Sequence, residues 1–419
     1  MTKKVLISWA AFDWANSVIN TLVFTFVFSI YFSRSIYGDE VSGSAAWSFA
    51  MGCAGVVVAL LSPVVGSIVD HMGPRKPLLK LFVIVCILLT SSLFLMKPDP
   101  VYITASLIIA ACIVVSFELV QNIYSSTLPI VAPPEKLGFV SGIGWGAGYI
   151  SGIVSLGIVL FLFVGFEQPT GLLNIATDEA LNIRAAMIFA GAWFAVFAIP
   201  FFLFCPDAPK TQIAAGQAVS QGLSGLWDVV KSTRQVPGLI RFLVAAALYR
   251  DGLVTLFAVG GLYAAGTLNM TMSDVMIFAI AMNLAGGIGA IAMAHMDDRL
   301  GSQRTIVLCL TMLIMLGGVL LLLDGKMEFI AVACLLGLFV GPVQAASRAM
   351  LVRLSPPEKI GSYFGLYALT GKSVAFLGPF AFASVTAITD SQRLGMATIL
   401  CFWAVGLFLV CSIRAGKKA

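Results

Sequence analysis

Six ionisable side chains lie inside long apolar runs of the sequence, where no water would solvate a charge. Three are acidic and three are basic: Asp13, Glu118, Asp251, Arg250, Arg348 and Lys372. A charged side chain at the centre of a bilayer costs roughly 3 kcal/mol on insertion scales, so such residues are rare and mark ion or substrate pathways. We therefore predict that these six residues face the interior of a helix bundle and pair with one another.

Polar neighbours of these charges recur at helical spacing. Asp13, Asn16 and Ser17 stand at positions i, i+3 and i+4, and similar sets follow Glu118 and precede Arg348. Positions with this spacing share one face of a helix, so each set makes one polar stripe on an apolar helix. The stripes predict a water-filled substrate path lined by Asp13, Asn16, Glu118, Gln121, Asn122, Asp251, Gln344 and Arg348. An alternative stays open, in which these groups only hold helices together or form the ion pairs of a gate.

The mixed charge of this path favours a zwitterionic solute. The planar guanidinium of Arg348 suits a substrate carboxylate, and an acidic side chain suits an ammonium group. Mutual ion pairing of the protein's own charges fits the same residues equally. Glu118 and Asp13 are candidate proton carriers, because a carboxyl group in a low-dielectric site can change its protonation during transport. Glu118 is the better candidate, since its own helix contains no cation.

The composition predicts the elements that must position these charges. Apolar residues make up 59% of the 419-residue chain and charged residues 11%, whereas soluble domains average about 25% charged residues. Twelve apolar runs of about 20 residues or more predict twelve transmembrane helices. The runs cover 6–33, 45–69, 77–96, 101–128, 136–165, 183–205, 239–265, 273–296, 303–323, 328–352, 359–388 and 393–414.

The charges and cysteines outside these stripes also have simple interpretations. Most of the 25 Lys and Arg residues fall in loops on one side, which predicts that both termini are cytoplasmic and leaves no reason to expect a nucleic-acid partner. The 8 cysteines have neither the spacing of metal ligands nor that of a disulfide framework. We therefore predict no metal site and no cofactor, with a lipid bilayer and a small-molecule substrate as the partners.

A duplicated phrase indicates two related halves. PPEKLGFVSG runs from Pro133 to Gly142, and PPEKIGSYFG runs from Pro356 to Gly365. Two earlier landmarks recur in the same order, since Asp13 and Asp70 correspond to Asp251 and Asp298. A repeat of this length predicts two six-helix halves, which we place at 1–205 and 239–419 with a Gly- and Ser-rich cytoplasmic linker at 206–238.

One segment resembles a known family. GSIVDHMGPRK, from Gly66 to Lys76, resembles the loop 2–3 motif of the major facilitator superfamily. The resemblance implies an all-α membrane protein with twelve transmembrane helices in two pseudo-symmetric six-helix halves. It also implies a cytoplasmic gate in which the motif's Asp caps a neighbouring helix and its basic residues form ion pairs. The implied gate residues are Gly66, Asp70, Gly73 and Arg75, with a weaker second copy at Asp298, Gly301 and Arg304.

A finer resemblance covers nearly the whole chain. FDWANS, LYRDG, GPVQAASRAM, YFGLYALTGK and LGP are similar to segments of the autophagy-related vacuolar amino-acid effluxers and their bacterial relatives. This implies a monomeric secondary transporter in the bacterial inner membrane that exports a small polar solute, with amino acids among the candidates. The implied mechanism is rocker-switch alternating access, and a coupling proton is a further expected partner. A drug or sugar permease of the same superfamily, and a non-transporting membrane receptor or scaffold, are the alternatives. An enzyme is not expected, because no nucleophile–base or metal constellation is visible.

Overall fold

The computed structural model of the chain is helical. It describes residues 2–165, 170–209, 231–268, 270 and 272–413, so most of the predicted linker at 206–238 lies outside the described residues. Within the described ranges the elements are helices joined by loops, without strands. The helices, in chain order, are Lys3–Ile36 (α1), Glu40–Met72 (α2), Lys76–Leu95 (α3), Pro100–Val131 (α4), Pro134–Val164 (α5), Asp178–Phe204 (α6), Leu239–Leu268 (α7), Met272–Ala292 with Ala294–Leu300 (α8), Ser302–Leu320 (α9), Lys326–Leu354 (α10), Pro357–Thr389 (α11) and Gln392–Cys411 (α12).

These helices confirm the predicted spans. Over the described residues, 11 helices are long and apolar enough to cross a membrane, and the bent helix α8 makes 12. The two parts of α8 meet at 43°. Because only helices and closed barrels satisfy every backbone polar group in lipid, an apolar chain of this kind folds as a helix bundle.

Helix α11 departs from the single predicted helix at 359–388. It is broken at Ala375 and Phe376 into Ile360–Val374 and Leu377–Thr389. Pro379 has no N–H to donate to the carbonyl of Ala375, and the N–H of Gly378 donates to Asp251 instead of to Val374. Two successive helical hydrogen bonds are therefore missing, and the break exposes backbone groups at the middle of the span.

The duplicated PPEK phrases adopt the same local structure. Each forms a short 3₁₀ turn, Pro134–Lys136 and Pro357–Lys359, and each turn leads directly into a long helix. The turns lie at the end of the molecule that also holds the loops after α2 and α8, which we call the gate end. Proline presets the first turn of a helix, so the phrase fixes where α5 and α11 begin.

Small residues bring helices from different halves into close contact at the gate end. A Cβ atom on Gly66 of α2 would lie 2.1 Å from the carbonyl oxygen of Gly361 in α11, and one on Gly365 would lie 2.4 Å from the carbonyl oxygen of Ser62. A Cβ atom on Gly142 of α5 would likewise lie 2.6 Å from the side chain of Ala294 in α8. Glycine allows such backbone contact, which is the usual way for helices to pack within a bilayer.

The close contacts do not continue along the whole length of these helices. A Cβ atom added to Gly52 in α2 would meet no described atom within 4 Å, and the same holds for Gly157 in α5. In α2 and α5, the closest glycine contacts with the other half are therefore toward the gate end. The charged residues of α1, α4, α7, α10 and α11 lie between this packed end and the opposite end of the helices.

Replacing Gly66 by Val should open the gate end, because the new side chain collides with backbone atoms of Gly361. Overpacking of this kind costs about 1–3 kcal/mol, on the order of a tenfold change in population. The reporter is Ser141→Cys in a variant that lacks the native cysteines, since the Ser141 hydroxyl donates to the Ala345 carbonyl across the two halves at 2.8 Å. We expect the reporter to react faster with a polar thiol reagent.

Gly52→Val on the same helix is the matched control, because it adds the same side chain where the space is open. Equal labelling rates in the two Val variants would contradict the closed packing described here.

Candidate functional site

Arg348 and Asp13 form a buried ion pair between α10 and α1. Nη1 of Arg348 lies 3.0 Å from Oδ2 of Asp13, and both residues are nearly inaccessible. The hydroxyl of Tyr124 donates to the same Oδ2 at 3.0 Å. Because α1 and α10 belong to different halves, this pair joins the halves deep inside the bundle.

Aromatic rings surround this guanidinium. The centroids of Trp9, Tyr124 and Trp145 lie 5.3, 5.5 and 5.4 Å from the Arg348 guanidinium carbon. Ring faces attract a cation, most strongly where water is excluded. With one carboxylate and three rings around it, Arg348 has the partners that a permanent cation needs, and this geometry favours the pairing alternative over a free substrate ligand.

A glycine makes room for the pair. A Cβ atom on Gly144 of α5 would lie 2.3 Å from Oδ2 of Asp13 and 2.7 Å from the ring of Trp9. Any side chain at this position would displace the carboxylate. The glycine-rich start of α5 is therefore needed to seat Asp13 as well as to pack against α8.

Glu118 and Lys372 form a second ion pair between the halves, with a different environment. Nζ of Lys372 in α11 lies 2.6 Å from Oε1 of Glu118 in α4, and the two side chains are 29% and 28% exposed. Partial exposure means that solvent or a solute can reach this pair, whereas Arg348 and Asp13 are enclosed. Glu118 thus has a cation partner from another helix, which its own sequence neighbourhood did not reveal.

Arg250 has no carboxylate partner within the described residues. Its guanidinium carbon lies 4.4 Å from the ring centroid of Tyr367 in α11, and no ion pair to it is present among the residues that the structure describes. A Cβ atom added to Gly371 would lie 3.6 Å from Nη1 of Arg250. Gly371 precedes Lys372, so the guanidinium lies against the turn of α11 that carries Lys372.

Asp251 does not pair with Arg250 or Arg348, contrary to the expectation that all six charges would pair. Its Oδ2 accepts the backbone N–H of Gly378 at 2.7 Å, just after the break in α11. Within the described ranges its buried Oδ1 has no hydrogen-bond partner, and the hydroxyl of Thr255, one turn along α7, has none either. The break in α11 supplies a donor that periodicity alone could not predict.

The amide side chains of the predicted path bond to nearby polar groups. Asn16 and Gln121 face each other at 3.4 Å, and the Asn122 amide donates to the Ser62 hydroxyl at 2.8 Å. Gln344 donates to the hydroxyl of Tyr149 at 2.9 Å, which joins α10 to α5 across the halves. All eight path residues thus lie on the polar faces of α1, α4, α7 and α10, but they form separate contacts and no single cluster.

At the gate end, Asp70 caps a helix of the other half. Its carboxylate accepts the N–H groups of Gly361 and Ser362 at 2.8 and 2.7 Å, at the start of α11, and the Ser362 hydroxyl at 2.7 Å. Nη2 of Arg75 lies 3.7 Å from the same carboxylate. The first N–H groups of a helix lack partners and the helix dipole favours an anion there, so Asp70 satisfies both needs.

Asp298 makes the equivalent contact in the opposite direction. Its carboxylate accepts the N–H groups of Gly138 and Phe139 at 2.8 and 2.9 Å, at the start of α5. Arg353 lies 3.1 Å from Asp298 and 2.9 Å from Asp297. Arg304, which the second motif copy suggested for this place, is exposed and makes no ion pair among the described residues.

Some gate contacts were missed from the sequence. Arg75 donates from Nε to the Ser126 hydroxyl at 3.0 Å, and Asp207 accepts the N–H groups of Arg75 and Lys76 at 2.8 and 3.1 Å. Asp207 thus caps α3 from beyond α6. In the sequence, the one feature that could have indicated this contact is the position of Asp207 beside a proline, just after an apolar run. Gly73 and Gly301 end α2 and α8 with φ of 82° and 88°, values that favour glycine.

The matching family model describes "Vacuole effluxer Atg22 like" proteins and covers residues 1–419. The chain belongs to this family. An MFS-type transporter of Bacillus subtilis named YxiO is 21% identical over 406 residues, which cover 96% of this chain and 93% of the relative. Autophagy-related protein 22 of Kluyveromyces lactis is 24% identical over 416 residues, which cover 90% and 81%.

The fold is also found among solved transporters. The crystal structure of the human organic anion transporter MFSD10 is similar with a TM-score of 0.72 at 13% identity, covering 97% of this chain and 99% of that one. This confirms the major facilitator fold. Together with its membership of the effluxer family, this fold makes the protein an integral membrane transporter, and the charges described above belong to its membrane interior.

The enclosed pair makes a stability prediction for the transporter. Asp13→Asn or Arg348→Gln alone should lower its melting temperature strongly, because removing one partner of a buried pair costs about 3–5 kcal/mol. The double variant should melt higher than at least one of the single variants, since it leaves no unpaired charge. The measurement is thermal unfolding in detergent.

Arg34 and Glu40 provide the control pair, with nearly the same 2.9 Å separation but side chains that are 55% and 60% exposed. Neutralising either should cost less than about 1 kcal/mol. If the decreases in melting temperature from the two single variants simply added in the double variant, Asp13 and Arg348 would not depend on each other, and the prediction would be contradicted.

Proposed function

We propose that the protein is a secondary active transporter that exports small zwitterionic solutes, amino acids among them, by rocker-switch alternating access. The observation that carries the proposal is the group of accessible charges between the halves. Glu118 and Lys372 offer opposite charges that a solute can reach. Arg250 lies against the same segment of α11, over the ring of Tyr367, and has no carboxylate partner in the described part of the chain. The vacuole-effluxer family and the autophagy-related relatives support the direction of transport.

A zwitterion matches these charges without burying net charge. Its ammonium group would bind Glu118 in place of Lys372, while its carboxylate would bind the planar fork of Arg250, with Lys372 released to the same carboxylate. A neutral sugar offers no charge to replace the Glu118–Lys372 contact. The enclosed cation Arg348 would link the two halves of the transporter. The substrate path beside it would be lined by Asn16, Gln121, Asn122 and Gln344.

Alternation between two states would depend on the caps at the gate end. Opening that end requires Asp70 to leave the start of α11 and Asp298 to leave the start of α5. Both contacts join opposite halves, so rotation of one half against the other breaks them together. Closing the opposite end would then make new contacts between the free ends of the same helices.

Orientation follows from the positive-inside rule. The helix ends and loops at the gate end carry an excess of basic residues, among them Lys76, Lys136, Arg299 and Lys359. This favours the cytoplasmic side of a bacterial inner membrane for this end and for both termini. The structure would then be the state closed to the cytoplasm, and export begins when the gate opens. We propose that a monomer performs this cycle, since both halves of the path lie in one chain.

A coupling proton is part of the proposal. Of the two carboxylates favoured by the sequence, Asp13 is bonded to Arg348 and Tyr124 away from solvent, whereas Glu118 is partly exposed. A proton and a substrate ammonium group would compete for Glu118. Such competition would link uptake of one to release of the other.

The test of this function is counterflow of radiolabelled amino acids in proteoliposomes, with a neutral sugar and a cationic drug as comparison solutes. Arg250→Ala should weaken amino-acid exchange about 10–100-fold, because a charge-assisted hydrogen bond contributes about 1.5–3 kcal/mol. Arg250→Lys should recover only part of the rate, since an ammonium group lacks the bidentate fork.

Arg241→Ala is the matched control on the same helix. That guanidinium binds the carbonyl of Ser412 at 3.0 Å and is exposed, so its loss should leave exchange unchanged. Wild-type exchange by Arg250→Ala, or exchange of the sugar and of no amino acid, would contradict the proposed site.

A further inference from the structure

Two residues of α11 frame the guanidinium of Arg250. Tyr367 and Gly371 are four positions apart in the first part of α11, so they lie on one face of that helix. Both contact Arg250 of α7, one through its ring and the other through the space beside its Cα. The next position, Lys372, turns toward Glu118 of α4 instead. Tyr367 and Gly371 therefore belong to the surroundings of the guanidinium and not to those of the ion pair.

Tyr367 supplies a fixed aromatic platform. The Arg250 guanidinium carbon lies 4.4 Å from the centroid of its ring. The ring in turn packs against Phe242, which is fully buried in α7, with centroids 6.2 Å apart and planes at 13°. A guanidinium that lies over a ring is held through its face, while the N–H groups at its edge still donate in their own plane. Stacking on Tyr367 thus orients the fork of Arg250 without occupying it.

Gly371 leaves space at the edge of the guanidinium. A Cβ atom there would lie 3.6 Å from Nη1 of Arg250, the one described atom within 4 Å outside the local helical backbone. Elsewhere in α11 packing requires glycine, since Cβ atoms on Gly365 and Gly378 would lie 2.4 and 2.1 Å from atoms of other helices. Gly371 has no such neighbour, although glycine weakens a helix relative to alanine. Its effect at this position is to keep Nη1 uncovered, as the close approach of a ligand requires.

We infer that Tyr367 and Gly371 determine which ligands Arg250 accepts: Tyr367 fixes the plane of the guanidinium, and Gly371 opens its Nη1 edge to a carboxylate. A carboxylate above Gly371 receives N–H groups in the plane of the fork. Such charge-assisted hydrogen bonds are roughly twice as strong as neutral ones, so a carboxylate is favoured over the hydroxyl of a sugar. The inference rests on the proposed function and names the residues that give its anion-binding part its specificity.

Chemical labelling of Arg250 tests the opening without any transport. Phenylglyoxal reacts with accessible guanidinium groups, and mass spectrometry of the peptide that contains Arg250 gives the rate. Gly371→Leu should slow this reaction severalfold, because the new side chain covers Nη1. Gly318→Leu is the matched control, since a Cβ atom on this glycine inside α9 would meet no described atom within 4 Å. Equal labelling rates in the two variants would overturn the role of Gly371.

Acetate is the ligand probe, because it carries the carboxylate and no ammonium group. Sodium acetate should slow the labelling of Arg250 in the wild type, and methylammonium chloride at the same concentration should not. Gly371→Ala separates access from folding: alanine favours a helix and its Cβ meets no atom closer than 3.6 Å, so this variant should melt no lower than the wild type. Acetate should nevertheless protect it less. Undiminished protection in Gly371→Ala, or equal protection by methylammonium chloride, would overturn the inference.

The concentration dependence of amino-acid counterflow tests Tyr367 as a positioning residue. Tyr367→Leu should raise KM about fivefold, the factor that a cation–π contact is worth, while the maximal rate stays near that of the wild type. Tyr367→Phe keeps the ring and should restore most of the affinity. A lower maximal rate at unchanged KM in Tyr367→Leu, or a Phe variant as weak as the Leu variant, would contradict this role.

The two readouts separate the inference from the proposed function. Acetate protection of Arg250 in a protein that exchanges no amino acid would refute the proposed function and leave the anion site standing. Amino-acid exchange with the same KM in the wild type and in Gly371→Leu would refute the inference and leave the transport function standing.

Discussion

The structure depends on carboxylates that satisfy helix N-termini across the boundary between the two halves. Asp70 binds two backbone N–H groups at the start of α11, and Asp298 binds two at the start of α5. When the halves separate, water can bond to the same N–H groups, so the loss of a cap leaves no backbone group unsatisfied. Each carboxylate cap therefore exists only while the halves are in contact. In the proposed alternating-access cycle, the contact would be specific enough to hold one state and weak enough to break in the other. Glycines beside each cap, at Gly66 and Gly142, allow the backbones to approach.

The low dielectric of the bundle interior explains how the buried charges are arranged. A carboxylate and a guanidinium that lose their water must find each other, as Asp13 and Arg348 do, and the three rings around the guanidinium complete its surroundings. Glu118 and Lys372 retain partial solvent access, so a solute can replace either partner. The difference between an enclosed pair and an accessible pair separates a structural link from a candidate binding site. Arg250 and Asp251, adjacent in sequence, complete the set: among the described residues the cation has no ionic partner and the carboxylate has a partner for one of its two oxygens.

Much of this architecture could be predicted from sequence, because lipid allows few solutions. Apolar runs predict the spans, and these are confirmed. The PPEK repeat predicts two halves with stated bounds, which stays a prediction that agrees with the major facilitator fold. The pairing of charges could not be derived in the same way. Helical spacing places Asp13 and Arg348 on inward faces, but which residue meets which depends on helix rotation and on the space left by Gly144. The hydrogen bond from Gly378 to Asp251 depends on the break in α11, where Pro379 removes a donor. The ionic partner of Asp298 is Arg353, which no motif indicated.

The central claim is that reciprocal caps hold the gate end closed in one of two alternating states. Electron–electron distance measurement in liposomes tests it, with one spin-label pair joining the loops after α2 and α10 and another joining the outer ends of α1 and α7. The account predicts that Asp70→Ala with Asp298→Ala lengthens the gate distance and shortens the outer distance in the same molecules. Substrate that shifts the wild type between the same two distance populations would support it further. A gate distance that stays unchanged in the double variant, or two distances that change independently, would contradict the account.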